Sequence, residues 1–268
     1  MPRSRADKVT DCRSESAFLA AVHSAVVEYY EAFVERMRID ESASPSFYQV
    51  GAAQLIEELY GAATRDELES TLAISLGCGN PVNSVDLVAG EVVLDLGCGP
   101  GLDCILAGKA VGRSGRAIGI DLVRGMVEKA HATASRGGQT RVDFMQAAME
   151  SIPLRSGSVD VVISNCAVSL SANKGAVLGE VARVLRSGGR VAIYDILSDD
   201  ILPGKLRSDL GRWAGCVSGV LTAHRYLELL GEARLTQARV REVSPADGFV
   251  ERVAGAPRLY VGEITARR

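Results

Sequence analysis

Short apolar runs alternate with segments of helical spacing from residue 91 to residue 196. Such runs are typical of parallel strands buried on both faces, with a helix between successive strands. The runs predict strands over 91–96, 116–121, 141–146, 158–164 and 190–196. The segments between them predict helices over 97–112, 123–138 and 173–189, the first after a glycine-rich turn. The pattern therefore predicts an α/β fold with helices on both faces of a parallel sheet.

The regions on either side of this core have different patterns. Residues 15–37 place apolar side chains at spacings of three and four, and further helical patterns cover 51–61 and 64–72, the last with Thr64 as N-cap. After residue 200, helices are predicted over 203–217 and 222–233, and strands over 237–243 and 258–264. We expect three parts: a helical cap (1–75), a sheet core (76–200) and a C-terminal substrate-side segment that completes the sheet (201–268).

The composition excludes several classes of function but does not identify one. The 268 residues carry a net charge of −3, which argues against nucleic acid as a partner, since that needs a basic face. We see neither a secretory signal nor a run of about 20 apolar residues, so we expect a cytoplasmic protein without membrane partners. The six cysteines form no C-x-x-C pair and the three histidines are scattered, which disfavours a zinc site. Buried free thiols are the default interpretation.

A glycine-rich loop follows the first strand. The stretch LDLGCGPG places Gly97, Gly99 and Gly101 between a strand and a helix, and Asp95 precedes the first glycine by two. Glycines at such a turn let the backbone approach a ligand closely. Asp121 ends the second strand, where a carboxylate can accept both hydroxyls of a ribose. A merely tight turn and a dinucleotide-binding loop are the alternatives.

The loop and the acid together resemble the class I S-adenosylmethionine-dependent methyltransferases, whose first motif is D-x-G-x-G-x-G. The resemblance implies a Rossmann-like seven-stranded sheet, a helical N-terminal arm, a C-terminal α+β extension and S-adenosylmethionine as cofactor. The glycine loop would pack on the methionine part and the acid would hold the ribose. The cofactor-binding residues implied are Asp95, Gly97, Cys98, Gly99, Gly101, Asp121, Leu122, Met126, Ala148, Met149, Asn165 and Tyr30. Ala148 stands where this family often has an acid near adenine, and Tyr30 has a core-facing helix stripe as its alternative.

Several segments narrow the resemblance to the arsenite methyltransferases. They are SLGCGNPV (75–82), GLDCILAGKAVGRSGRAIGIDL (101–122), SVDVVISNCAVSLSANK (158–174), RVLRSGGRVAIYDI (183–196) and RWAGCVSGVLT (212–222). This likeness covers roughly 72–232 and implies methylation of trivalent arsenic in detoxification. Cys104 is shared with the subgroup, although packing in its helix is the simpler interpretation.

A physical argument singles out two cysteines as catalytic ligands of As(III). Ligands of parallel sheets bind beyond the carboxyl ends of the strands, and Cys166 follows the fourth strand there. Cys216 lies in a predicted helix beside Trp213, with Gly215 and Gly219 leaving room for close approach. Two such thiols suit a soft, thiol-seeking atom. An As(III) nucleophile needs no general base, and no histidine is expected near this site in the sheet domain.

Two departures from the subgroup keep other substrates open. The subgroup usually has a cysteine just after the first helix, whereas residues 36–50 contain none, so a third arsenic ligand would be Cys78, Cys12 or an exogenous thiol such as glutathione. Ser169 stands where the subgroup commonly has asparagine. The alternatives are a methyltransferase acting on a small organic molecule and a protein that binds cofactor or metalloid without turnover.

Overall fold

A computed structural model describes residues 5–39, 59–61, 77–250 and 252–268, with side chains of the first helix from 16 to 36. Its centre is one sheet whose strands run in the order β3-β2-β1-β4-β5-β8-β7, with a short β6 paired to the end of β5. The strands are β1 Val92–Leu96, β2 Arg116–Asp121, β3 Val142–Gln146, β4 Val159–Asn165, β5 Leu185–Ser198, β6 Leu221–Thr222, β7 Thr236–Pro245 and β8 Leu259–Arg267.

The first five strands are parallel, and β8 joins β5 antiparallel before pairing with β7. The predicted seven-stranded sheet is confirmed, with the two-residue β6 as an addition. Because all carboxyl ends of β1–β5 lie at one edge, the loops after these strands gather there.

Helices cover both faces of the sheet, as predicted. They are α1 Arg5–Ile39, α2 Leu102–Val111, α3 Arg124–Arg136, α4 Lys174–Val184, α5 Gly204–Arg207, α6 Leu210–Trp213 and α7 Ala223–Glu232, with a 3₁₀ turn at Val168–Leu170. Alternate residues of β1 divide between the two cores: Val93 packs with α2 and α3, whereas Leu94 packs with α4 and α7. This double burial explains the continuous apolar runs of the strands.

Two predicted helices were too long. The segment 203–217 forms two single turns, because Asp209 accepts a hydrogen bond from Arg212 N and restarts the helix as its N-cap. Cys216 therefore lies in a turn with φ 58°, not in a helix. The helix predicted over 173–189 ends at Val184, where fully buried Leu185 turns extended and begins β5.

The N-terminal helix α1 packs on α3 and α6 through an apolar stripe that includes Val22, Val26 and Phe33. Its segment 16–36, with mean hydropathy 1.2, is long and apolar enough to cross a membrane by length and composition, contrary to our expectation. Core helices meet the same criterion. The helices predicted over 51–61 and 64–72 fall almost entirely outside the described residues, as does the side chain of Cys12.

Candidate active site

The glycine loop adopts a backbone that only glycine enters without strain. Gly97, Gly99 and Gly101 have φ values of 67°, 51° and 95°. The amides of Gly97 and Cys98 both donate to Ile120 O, at 2.8 and 3.0 Å, which ties the loop to the end of β2. A Cβ on Gly97 would overlap the Ala167 methyl group. The loop is thus held close between β2 and the segment that follows β4.

Asp121 closes the loop from the neighbouring strand. Its two carboxylate oxygens accept hydrogen bonds from Gly99 N and Val123 N, each at 2.9 Å. Burial raises the pKa of this carboxyl to about 6 in spite of those bonds. Each oxygen keeps acceptor capacity for a further donor, so the side chain can still hold hydroxyl groups.

Asp95 is 2% exposed, and its Oδ2 has no hydrogen-bond partner among the described residues. Burial and repulsion from Asp103 and Asp121 raise its pKa well above the usual range. An orphaned buried carboxylate oxygen is rare and calls for a partner. A cationic group in the adjoining cleft would supply one, and the ammonium of S-adenosylmethionine fits that requirement.

A cleft of about 890 Å³, its open mouth included, lies over the loop. Eleven of the twelve predicted cofactor residues line it: Tyr30, Asp95, Gly97, Cys98, Gly99, Asp121, Leu122, Met126, Ala148, Met149 and Asn165. Gly101 is not among the residues that line it. Gly101 instead N-caps α2, and a Cβ there would press on Phe144 and Ala130.

One wall of the cleft is a polar cluster that the sequence did not reveal. Glu150 Oε1 lies 3.2 Å from His23 Nε2 and accepts from Ser171 Oγ at 2.5 Å. Burial raises the Glu150 pKa, but these hydrogen bonds outweigh it and hold the pKa below its usual value. The sequence predicts no histidine of the sheet domain near the site, and the histidine that lines the cleft, His23, belongs to α1. The three residues share no local pattern, because chain folding alone brings them together.

Three cysteines meet beside the cleft. Cys78, Cys166 and Cys216 are buried in one cluster with Tyr194 and Ile196. The three thiols shift one another's pKa values, with Cys216 acting as donor towards Cys166 and Cys166 as donor towards Cys78. Cys216 Sγ also donates to Cys166 O at 3.6 Å. Cys166 alone of the three lines the cleft, so it joins the thiol cluster to the cofactor loop.

These thiols are held in the protonated form. Burial raises the pKa of Cys78, and the hydrogen bond to Cys166, together with burial, raises that of Cys216. The hydrogen bond from Cys216 lowers the pKa of Cys166, but the bond to Cys78 and burial raise it further. Among the described residues, no three His, Cys, Asp or Glu side chains form a preorganised metal-ion site. The cluster is a set of neighbouring neutral thiols.

Cys166 and Cys216 share an unusual backbone. Their φ values are 59° and 58°, in the left-handed region that side chains with a Cβ rarely occupy. Such residues persist where the surrounding structure fixes them, and they concentrate at functional sites. Here Cys166 N donates to Tyr194 O at 2.7 Å, and Cys216 N donates to Trp213 O at 3.0 Å.

Charged residues lie beneath the thiols. Asp195 on β5 is 1% exposed, and burial raises its pKa to about 6. Lys174 Nζ donates to Ser169 O and Ser171 O, at 3.1 and 2.7 Å, and burial lowers its pKa to about 8. Neither Asp195 Oδ2 nor Ser169 Oγ completes a hydrogen bond within the described part of the chain. The remaining described cysteines, Cys98 and Cys104, pack in the core on the α2 face.

The sheet order, the glycine loop and the cleft define the protein class. A family model for the methyltransferase domain matches residues 87–234, more than half of the chain. The chain belongs to this methyltransferase family, and S-adenosylmethionine is its cofactor, as predicted.

The relatives found by comparison are more specific. The arsenite methyltransferase of Halobacterium salinarum is 38% identical over 178 residues, which are 66% of this chain and 45% of that protein. That of Aquipseudomonas alcaligenes is 34% identical over 194 residues, or 69% and 56%. The arsenic (III) S-adenosylmethionine methyltransferase of Chlamydomonas reinhardtii matches with a TM-score of 0.63 and 27% identity, covering 84% of this chain and 75% of that structure.

The predicted resemblance to the arsenite methyltransferases is therefore confirmed. The chain spans about half the length of the two curated relatives.

Proposed function

We propose that this protein methylates trivalent arsenic held by Cys78, Cys166 and Cys216, with S-adenosylmethionine as methyl donor. The observation that carries the proposal is a cluster of three buried thiols beside the cofactor cleft, which Cys166 lines. Similarity to arsenite methyltransferases over two thirds of the chain supports the same substrate. Cys78, one of three candidates for the third ligand, is favoured because its thiol contacts Cys166.

Arsenite can bind to this cluster without a base that removes the thiol protons. Each new S–As bond replaces an As–OH bond, and the thiol proton leaves with the hydroxide as water. Neutral thiols are thus the right starting form, which agrees with the raised pKa values of all three cysteines. A glutathione conjugate of As(III) would exchange in the same way, releasing glutathione in place of water.

The residues around the cleft fit the cofactor. Asp95 offers its orphaned oxygen to an ammonium group, and Asp121 offers two acceptors to ribose hydroxyls. S-adenosylmethionine, when bound, supplies a methyl group on a positively charged sulfur, the electrophile for an As(III) lone pair. The thiols use three arsenic valences and leave that lone pair unshared. Because no proton leaves the nucleophile, the His23–Glu150 pair need not act as a base.

The test is mass spectrometry of products after incubation with S-adenosylmethionine, arsenite and excess glutathione. We expect methylarsenicals from the unaltered protein and none from Cys166→Ser or Cys216→Ser. Calorimetry should show that both variants still bind S-adenosylmethionine. Cys104→Ala is the matched control, because Cys104 is fully buried in α2 away from the thiol cluster.

Normal arsenite turnover in both serine variants would refute the thiol proposal. Saturable cofactor binding without arsenite turnover would instead favour a small organic substrate. Absence of S-adenosylmethionine binding would refute both methyltransferase activities, on arsenic and on an organic substrate.

The setting follows from this chemistry. We place the protein in the cytoplasm, where a reducing thiol pool keeps the cysteines free and supplies glutathione. We assign small molecules, and neither nucleic acid nor membrane, as its partners. In the three-part division at residues 75 and 200, the C-terminal segment supplies Cys216 to the thiol cluster.

A further inference from the structure

The segment 77–79, which carries Cys78, belongs to no helix or strand, so its position depends on other contacts. Tyr60 Oη contacts Gly79 O at 3.0 Å, and three hydrogen bonds to a single side chain, that of Asn165, supply further contacts. Asn165 Oδ1 accepts from Cys78 N and Gly79 N at 2.9 and 3.1 Å, and Asn165 Nδ2 donates to Gly79 O at 2.8 Å. One amide therefore satisfies three backbone groups of Cys78 and Gly79.

The fit is close on the backbone side as well. A Cβ on Gly77 would overlap the Asn165 amide, and a Cβ on Gly79 would overlap the Tyr194 ring. Glycines on both sides of Cys78 let the segment lie directly against β4 and β5. Any larger residue would move the Cys78 thiol away from Cys166.

Asn165 is itself fixed from the cofactor side. Its Nδ2 donates to Asp103 Oδ2 at 2.9 Å and lies 3.0 Å from Tyr60 Oη, while Tyr60 Oη donates to Asp103 Oδ1 at 2.8 Å. Both Asn165 and Asp103 line the cleft. This contact set also fixes the amide orientation, because the oxygen faces two N–H groups and the nitrogen faces a carbonyl and a carboxylate.

We propose that Asn165 is a positioning residue for the Cys78 thiol, acting through the backbone of segment 77–79 and oriented by Asp103 and Tyr60. The cofactor contact predicted for this residue stays a prediction, and Asn165 lines the cleft. Its amide also holds the segment that carries the third thiol. Since Asn165 directly precedes Cys166, one dipeptide fixes two of the three thiols, one by covalent connection and the other by hydrogen bonds. The inference rests on the proposed function only for its consequence in arsenic binding.

The first test needs no arsenic. We would measure the alkylation rate of each cysteine by iodoacetamide in the full-length protein, using mass spectrometry, in Asn165→Ala and Asn165→Asp. Loss of the amide contacts should let the segment open locally and raise the Cys78 rate about tenfold. The aspartate variant has nearly the same side-chain volume but lacks the Nδ2 donor. A carboxylate oxygen would then face Asp103 and Gly79 O, which accept hydrogen bonds from Asn165.

Cys104 is the internal control, since it is fully buried away from this segment. An unchanged Cys78 rate in both variants would overturn the proposal, and so would an equal rise at Cys104, which would mean loosening of the whole fold. Tyr60→Phe is a milder variant that keeps the ring, and we expect about a threefold rise from it.

The second test is a double-mutant cycle on As(III) affinity. Asn165→Ala alone should weaken binding about tenfold, but should have no further effect in a Cys78→Ser background. In a Cys216→Ser background, where Cys78 still serves as a ligand, it should weaken binding again. Additive losses with Cys78→Ser would overturn the proposal. If the unaltered protein bound no As(III), the proposed function would fail while the alkylation test still decided the role of Asn165.

Discussion

The tetrapeptide Leu-Gly-Cys-Gly occurs twice in this chain, at 76–79 and at 96–99, and the two copies use their glycines differently. In the second copy Gly97 and Gly99 have φ values of 67° and 51°, so glycine is needed for backbone conformation. In the first copy neither Gly77 nor Gly79 has a left-handed backbone. There glycine is needed because Asn165 and Tyr194 leave no room for a Cβ.

The cysteines differ in the same way. Cys98 packs in the α2-side core, where a Cβ on Gly119 would overlap it, and its thiol donates to Gly99 O at 3.7 Å. Cys78 is instead buried in the cluster that contains Cys166 and Cys216, the residues proposed to bind As(III). The same tetrapeptide thus forms a cofactor loop at 96–99 and a segment that carries a clustered thiol at 76–79. Contacts with residues distant in sequence determine which of the two it forms.

The largest effect should come from Gly97→Ala. Alanine would have to adopt the left-handed backbone of Gly97, which costs about 1–3 kcal/mol in strain. Its methyl group would also clash with the side chain of Ala167. We expect S-adenosylmethionine affinity to fall about a hundredfold by calorimetry. Gly99→Ala is the control, because no atom lies within 4 Å of its added Cβ and only the strain remains. Equal losses in the two variants would mean that contact with Ala167 is unimportant.

A smaller effect should separate the two cysteines. Cys78→Ser removes one of three arsenic ligands, so we expect As(III) affinity to fall about tenfold while cofactor affinity is retained. Cys98→Ser should leave As(III) affinity unchanged. Fluorescence or thiol titration with arsenite would measure both. If the serine at position 98 weakened arsenic binding as much as that at position 78, the assignment of the two copies would be wrong.

The smallest effect should be a pH dependence on the cofactor side. Ionised Asp121 is the form that accepts ribose hydroxyls, and its pKa is about 6 in the free protein. Between pH 7.5 and 5.5 its protonation should lower S-adenosylmethionine affinity about fourfold, and Asp121→Asn should remove this dependence. A flat profile in the unaltered protein would argue against Asp121 as the ribose acceptor.

The stability of the cofactor-free protein should change in the opposite direction. Burial raises the pKa values of Asp103, Asp121 and Asp195 to about 6, so the folded state binds these protons more tightly than the unfolded state. Their contribution is fully present near pH 4 and is lost as the pH rises through 6. Denaturant unfolding over this range should resolve it, with Asp121→Asn showing a shallower decline.

The sequence predicted what depends on local pattern. Buried parallel strands have a continuous apolar run, and Asp121 could be placed because it ends one of them. Cys216 was placed in a helix because the apolar spacing favours one, whereas the Asp209 cap divides that segment into single turns. His23 and Glu150 are 127 residues apart, and no local signal joins them.

Asn165 shows the limit most clearly. Its position after β4 predicted that it faces the cofactor edge of the sheet, and it does line the cleft. Its hydrogen bonds to Cys78 and Gly79 connect residues 87 and 86 positions apart, and only the fold specifies them. The position of Asn165 in the sequence predicts the edge of the sheet on which it lies, but not the backbone groups to which it is hydrogen-bonded.

The left-handed backbone of Cys166 and Cys216 has a consequence for how this protein can change. Glycine at either position would adopt the same φ of 59° or 58° without steric strain, so selection for stability alone would favour losing the thiols. The proposed role of both residues as As(III) ligands opposes such a change. A relative that acts on a substrate other than a metalloid could carry glycine at both positions. Glycine at the positions of Cys166 and Cys216 in a related sequence would therefore indicate a change of substrate.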